Sequence, residues 1–201
     1  MKIINRVLVM LSICGILLCG SACGKAEEES DETYLSGKYL VDIVIKDHGT
    51  IRVELDADSA PITVTNFVNL VEEGFYDGLT FHRIIEGFMM QGGDPMGNGQ
   101  GGADKTIKGE FQVNGVENPL SHTRGAISMA RAKQYNSASS QFFIMHEDYT
   151  GLDGQYACFG YVIEGMEIVD EICENAKVID NNGTVLAENQ PIIESITLVT
   201  E

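Results

Sequence analysis

Phe81-His82-Arg83-Ile84-Ile85-Glu86-Gly87-Phe88-Met89-Met90-Gln91-Gly92-Gly93-Asp94 sets one cation, Arg83, among apolar residues and follows it with an amide, Gln91, and a glycine pair. A guanidinium stays charged at any relevant pH and offers several donors in a fixed fork, which suits an uncharged peptide group. Acid–base hydrolysis needs other residues than these.

Before this stretch, Tyr39 to Lys46 alternates apolar and polar, Asp47-His48-Gly49-Thr50 supplies turn residues, and Ile51 to Leu55 alternates again. That pattern predicts a β-hairpin. Asp58-Ser59-Ala60-Pro61 starts a helix, with Pro61 in the first turn, and Val64, Phe67, Val68 and Val71 fall at helical spacing up to Gly74. Strand Leu79 to Ile84 follows. Further short apolar runs lie between glycine-rich turns: Phe88–Met90, Gly125–Ala130, Gln141–Met145, Ala157–Val162 and Ile192–Val199. Met166 to Glu174 fits a second helix. Many short strands with two helices predict an all-β or mixed sandwich or barrel with helical caps.

At the front, Lys2 and Arg6 precede an apolar run from Val7 to Leu18, shorter than the roughly 20 residues of a spanning helix. With Gly20, Ser21 and Ala22 after it, residues 1–22 read as a secretory signal rather than an amphipathic buried helix. Small residues, then Cys23 and Gly24, resemble a bacterial lipoprotein cleavage site, although Gly20 stands where such sites carry Leu. Lipidation of Cys23 is therefore expected, with plain secretion as the alternative; either way the protein is extracytoplasmic. Residues 23–36, acidic and polar, read as a tether, and 37–201 as one folded domain.

The chain carries 30 acidic against 13 basic residues, formally −17, and losing Lys2 and Arg6 with the leader leaves −19. So acidic a surface repels phosphate backbones and argues against nucleic acid as a partner. Of five cysteines only Cys158 and Cys173 belong to the domain, too few for a disulfide scaffold, and both read as small buried hydrophobes. His48, His82, His122 and His146 show no metal-binding spacing, and no metal or cofactor is expected. The glycine run Met96 to Gly102 lacks the Lys-Ser/Thr of a phosphate cradle.

Four motifs together resemble the cyclophilin family of peptidyl-prolyl isomerases, over roughly Tyr39 to Val199. They are Phe81–Asp94, Ser128-Met129-Ala130-Arg131-Ala132, Ser139-Ser140-Gln141-Phe142-Phe143-Ile144, and Leu152-Asp153-Gly154-Gln155-Tyr156-Ala157-Cys158-Phe159-Gly160. The resemblance implies a closed eight-stranded antiparallel β-barrel capped by two α-helices. It implies Arg83 as the catalytic residue. Phe88, Met89, Gln91, Gly99, Ala130, Arg131, Ala132, Gln141, Phe143, Leu152 and Tyr156 would contact substrate. Phe142, alternating to the other face, belongs to the core. Arg131 departs from the Asn of many eukaryotic relatives, and Tyr156 from a His. Gly151 replaces a Trp associated with cyclosporin sensitivity, so weak drug binding is expected.

Xaa–Pro rotation breaks amide resonance against a barrier of about 18–20 kcal/mol. In the twisted transition state the proline nitrogen becomes pyramidal and regains a lone pair. A donor aimed there favours that state over either planar form. The expected partner is a proline-containing unfolded or extended polypeptide, the expected protein a monomer whose lipid anchor at Cys23 holds it to the membrane. A module that binds proline segments without turnover is the second reading, but such a module has no need of the cation.

Overall fold

The computed structural model describes residues 33–199, so the leader, Cys23 and the tether up to Glu32 lie outside the described residues. Eight strands and two α-helices form in the order β1 (Lys38–Ile45), β2 (Gly49–Asp56), α1 (Pro61–Glu72), β3 (Phe81–Ile85), β4 (Met89–Gly92), β5 (Ala126–Met129), β6 (Phe142–Met145), β7 (Ala157–Glu164), α2 (Met166–Asn175) and β8 (Ile193–Leu198). The expected hairpin is β1–β2, paired from Lys38 with Asp56 to Ile45 with Gly49. Its turn holds Asp47 at φ 65° and Gly49 at φ 129°, a left-handed path that glycine takes without steric cost. Packing begins before Gly37. Leu35 N–H donates to Thr65 Oγ1 at 2.8 Å, and its side chain lies against the core.

The strands form one antiparallel sheet in the order β3-β4-β6-β5-β7-β2-β1-β8, curled into a half-barrel. The closed barrel expected from the resemblance is therefore corrected: β3 and β8 are edges and do not pair as strands. The reason lies at the outer edge of β3. There Ile84 N–H donates to Gly183 O (2.8 Å) and Val185 N–H to His82 O (3.0 Å), so a turn after α2 takes the place β8 would need. Among the described residues, only the segments leading into the two strands cross the seam, through the isolated Thr80–Ile192 bridge and the bond from Ile193 N–H, at the start of β8, to Leu79 O.

Alternation puts Val41, Ile43, Ile45, Ile51, Val53 and Leu55 inside, where the helices cover them. Helix α1 lies against β2, β7 and β8, and α2 against β2 and β4. At the centre, the Phe67 ring of α1 sits 5.1 Å from Tyr76, 5.2 Å from Phe159 and 5.6 Å edge-on to Phe142. Each Phe so buried contributes about 1.5–3 kcal/mol relative to exposure. Helix α1 begins with Pro61 as expected, but Ala60 at its N-cap offers no side-chain acceptor. The acceptor comes from far along the chain. Glu110, 1% exposed, accepts Ile62 N–H on Oε1 (3.0 Å) and Thr63 N–H on Oε2 (2.7 Å). Among the described residues no helix is long and apolar enough to cross a membrane.

Candidate active site

Directly opposed residues of antiparallel strands share a face. The register opposes Arg83 of β3 to Gln91 of β4, Gln91 to Phe143 of β6, and Phe143 to Ser128 of β5. These side chains therefore make one row across four strands. The alternate row, Ile84, Met90, Ile144 and Ile127, belongs to the core, as does Phe142. Met89, Phe143 and Met145 form a separate apolar cluster with Ala126 and Cys158, against which Phe88, Leu152 and Tyr156 pack. That cluster floors the site.

One cavity of ≈ 270 Å³ is lined by Phe88, Met89, Phe143, Leu152 and Tyr156, and by Arg83 and Gln91 on the polar side. A second, of ≈ 300 Å³, shares Gln91, Ala130 and Arg131 with it and adds Gly99, Ala132 and Gln141. Every site residue expected from the sequence thus lies in one of two adjoining hollows, apart from Cys23, which is outside the described residues.

Arg83 is held on two sides. Its Nε donates to Asn182 O at 2.8 Å, and Nη1 to Gln91 Oε1 at 3.3 Å, with Met89 Sδ at 3.8 Å. Nη2 has no protein partner among the described residues. The amides continue the chain: Gln91 Nε2 donates to Gln141 Oε1 (2.9 Å), and Gln141 Nε2 to Gly101 O (2.7 Å). Each amide is oriented by the next, so donors and acceptors have one consistent arrangement along both hollows. Burial weakens Arg83's hold on its proton, partly offset by Tyr156 and Asp180, and a guanidinium remains cationic at physiological pH regardless.

Arg131 does more than add charge to the rim. Its guanidinium carbon lies 4.6 Å from the Tyr156 ring centre, 5.0 Å from Phe111 and 5.2 Å from Tyr135, while Nε and Nη2 donate to Gln155 O. Tyr156 meets Phe143 edge-on at 5.9 Å, so the cation braces a pocket wall. Beneath Phe143, stacked at 5.9 Å, lies fully buried His122, with Nδ1 2.8 Å from Asp153 and Nε2 3.0 Å from Ser128 Oγ. Asp153 also accepts from Ser121 Oγ and His122 N–H. Burial alone would raise its pKa, yet those bonds together hold it below the usual carboxylate range. Ionised, it accepts a hydrogen bond from Nδ1–H of a neutral imidazole, and burial favours that neutral form.

His82 is buried, and its Nδ1 has no hydrogen-bond partner among the described residues. Cys158 and Cys173 are free and buried, each thiol pushed up to about 12, which makes them inert hydrophobes. At Gly151 a Cβ would meet the Tyr149 ring at 3.1 Å, and that ring lies edge-on to Phe88 at 5.2 Å. Among the described residues no group of three or more His, Cys, Asp or Glu side chains is placed to hold a metal ion.

Sequence reasoning missed Asp94, which is 1% exposed and ties the glycine loop that carries Gly99. Its carboxylate accepts Met96 N–H (2.8 Å), Asn98 N–H (3.0 Å) and Gly99 N–H (2.6 Å). The Asp94-Pro95 step leading into the glycine run from Gly97 was the available signal.

A family model described as cyclophilin type peptidyl-prolyl cis-trans isomerase/CLD matches residues 40–197. Peptidyl-prolyl cis-trans isomerase B of Bacillus subtilis is 44% identical over 145 residues, covering 72% of this chain and 92% of that protein. The Synechococcus elongatus isomerase is 49% identical over 118 residues, 59% of this chain and 77% of the relative. Among solved structures, a Cryptosporidium parvum cyclophilin-type isomerase crystallised in the presence of the dipeptide Ala-Pro superposes with a TM-score of 0.70. It shares 32% identity and covers 81% of this chain and 99% of its own. With the row of Arg83, Gln91 and Phe143 facing a common hollow, these likenesses show that the chain belongs to the family of cyclophilin-type peptidyl-prolyl cis–trans isomerases.

Proposed function

We propose that this isomerase accelerates Xaa–Pro rotation in extended segments of proteins outside the cytoplasm and so assists their folding. The proline ring enters the hollow floored by Phe143 and Met89, where burial of its apolar surface holds it. Gln91 and Gln141 offer amides to the flanking main chain, and Gly99, Ala130 and Ala132 keep the groove open. Arg83, held at Nε and Nη1, presents Nη2 to the imide nitrogen. As the bond twists, that nitrogen gains a lone pair able to accept a charge-assisted hydrogen bond that neither planar form can accept equally. Each ~1.4 kcal/mol of such difference is worth about tenfold in rate. No bond is made or broken, so the residues need no nucleophile or general base. The observation that carries the reading is a guanidinium on the wall of the same hollow as Phe143.

The reading extends to location. Lys2, Arg6 and the apolar run Val7 to Leu18 would export the chain, and Cys23 would carry the lipid that anchors a monomeric domain on an acidic tether. Purified protein should speed cis-to-trans conversion of a short Xaa–Pro peptide, and Arg83→Ala should lose on the order of 10²-fold of that acceleration. A wild type that leaves the uncatalysed rate unchanged would leave only a proline-binding module. Cells fed a fatty-acid analogue should label the wild type and not Cys23→Ser; label on both, or on neither, rules out the anchor.

A further inference from the structure

We propose that Asp180 is a positioning residue for Arg83, acting through the main-chain carbonyl of Asn182. The proposal rests on Arg83 being the group that meets the twisted bond. Its basis is the turn that occupies the outer edge of β3 where β8 does not reach.

That turn is tied to β3 on both sides of Arg83, by Gly183 O with Ile84 N–H and by Val185 N–H with His82 O, and an isolated bridge joins Arg83 to Thr184. Gly183 sits at φ 80°, and a Cβ there would run into Ile84 O, so the turn lies as close to the strand as backbone allows. Inside the turn one side chain sets the path. Asp180 Oδ1 accepts Asn182 N–H and Thr184 N–H, both at 3.0 Å, and Asp180 O accepts Gly183 N–H at 3.1 Å. The result is Asn182 O at 2.8 Å from Arg83 Nε.

A guanidinium is planar, so two partners on different nitrogens fix both its rotation and its tilt. Gln91 is one, set in β4 and itself bonded to Gln141. Asn182 O is the other, and it hangs on an exposed turn. Without the Asp180 carboxylate the turn keeps its backbone bonds, Gly183 N–H to Asp180 O among them, but loses both bonds that fix Asn182 and Thr184, so the Asn182 carbonyl shifts, its bond to Nε–H weakens, and Nη2 moves off the imide nitrogen. Misplacement of about 1 Å at a reacting centre can cost up to 10²-fold, so a loss of roughly tenfold in kcat is expected. KM should hold, because the apolar hollow contains no atom of the turn.

Asp180→Ala, Asp180→Asn and Arg83→Ala, singly and with Asp180→Ala in the Arg83→Ala background, test this in the full-length protein. Asp180→Ala should lower kcat about tenfold with KM unchanged, Asp180→Asn should stay within about threefold because its amide oxygen still accepts, and Arg83→Ala should abolish any further effect of Asp180→Ala. The Arg83 Nε–H resonance should be protected from solvent exchange in the wild type and in Asp180→Asn, and exposed in Asp180→Ala. Unchanged kcat, an equal loss in the Arg83→Ala background, or continued Nε–H protection in Asp180→Ala overturns the proposal. A full-rate Arg83→Ala instead overturns the reading of Arg83 itself, while the exchange measurement still reports whether Asp180 holds the guanidinium.

Discussion

Asp94→Asn separates the work of a charge from that of a shape. Burial alone would raise the Asp94 pKa, but the backbone N–H groups of Met96, Asn98, Gly101 and Gly99 together outweigh it and hold the carboxyl below its ordinary value of 3.8. The variant can keep Met96 N–H on its one oxygen, yet its amide nitrogen then faces the N–H groups of Asn98 and Gly99. Two bonds to a charged acceptor, each worth about 1.5–3 kcal/mol, are lost. Allowing for relaxation, the loss should be about 3 kcal/mol, or a Tm about 6–12 °C lower for a domain of this size. The loop carrying Gly99 slackens as well, so KM should rise several-fold with less change in kcat. The sign with pH is fixed. A depressed pKa gives stability that is present above the unfolded value, about 3.9, and lost as pH falls through the folded one. The gap between wild type and variant should therefore begin to narrow below about pH 4 and close as pH falls through the folded value. Thermal melts across pH 3–7 measure this. A variant melting within about 2 °C of wild type at pH 7 would show that the glycine turns alone hold the loop.

Glu110 should behave in the opposite sense. Burial raises its pKa above 4.5 despite the bonds from Thr63 and Ile62, so the fold favours its uncharged form. Glu110→Gln keeps one helix N–H on its single oxygen and turns its NH2 toward the other, so it should cost about 1–2 kcal/mol, whereas Glu110→Ala, which removes the acceptor of both Ile62 and Thr63 N–H, should cost about 3 kcal/mol in urea unfolding. Equal losses would mean that the charge, not the hydrogen bonding, caps α1. For Arg131→Ala the Tyr156 wall loses its brace, and KM should rise several-fold at nearly constant kcat; unchanged KM would reduce the three ring contacts to surface packing.

What was legible in the sequence was whatever depends on neighbours along the chain. Alternation at Val41–Ile45 and Ile51–Leu55 and helical spacing at Val64–Val71 each produced the element they predicted. The site row was readable because short motifs carry it whole. Long-range substitutions were not. Nothing near Ile62 signals that Glu110, 48 residues on, supplies the acceptors its helix lacks. The closed barrel failed for a related reason: strand count says nothing about which segment takes a free edge, and the turn around Gly183 reaches β3 first. Asn182 is invisible in the same way, because its contribution to Arg83 is a carbonyl that any residue possesses.

The most direct measurement is a structure of the protein with a bound Xaa–Pro peptide. The account places the proline ring against Phe143 and its imide nitrogen within hydrogen-bond reach of Arg83 Nη2, with Nε still on Asn182 O. A proline seated in the second hollow beside Gly99, or an Arg83 guanidinium turned to solvent while the peptide is bound, would contradict it.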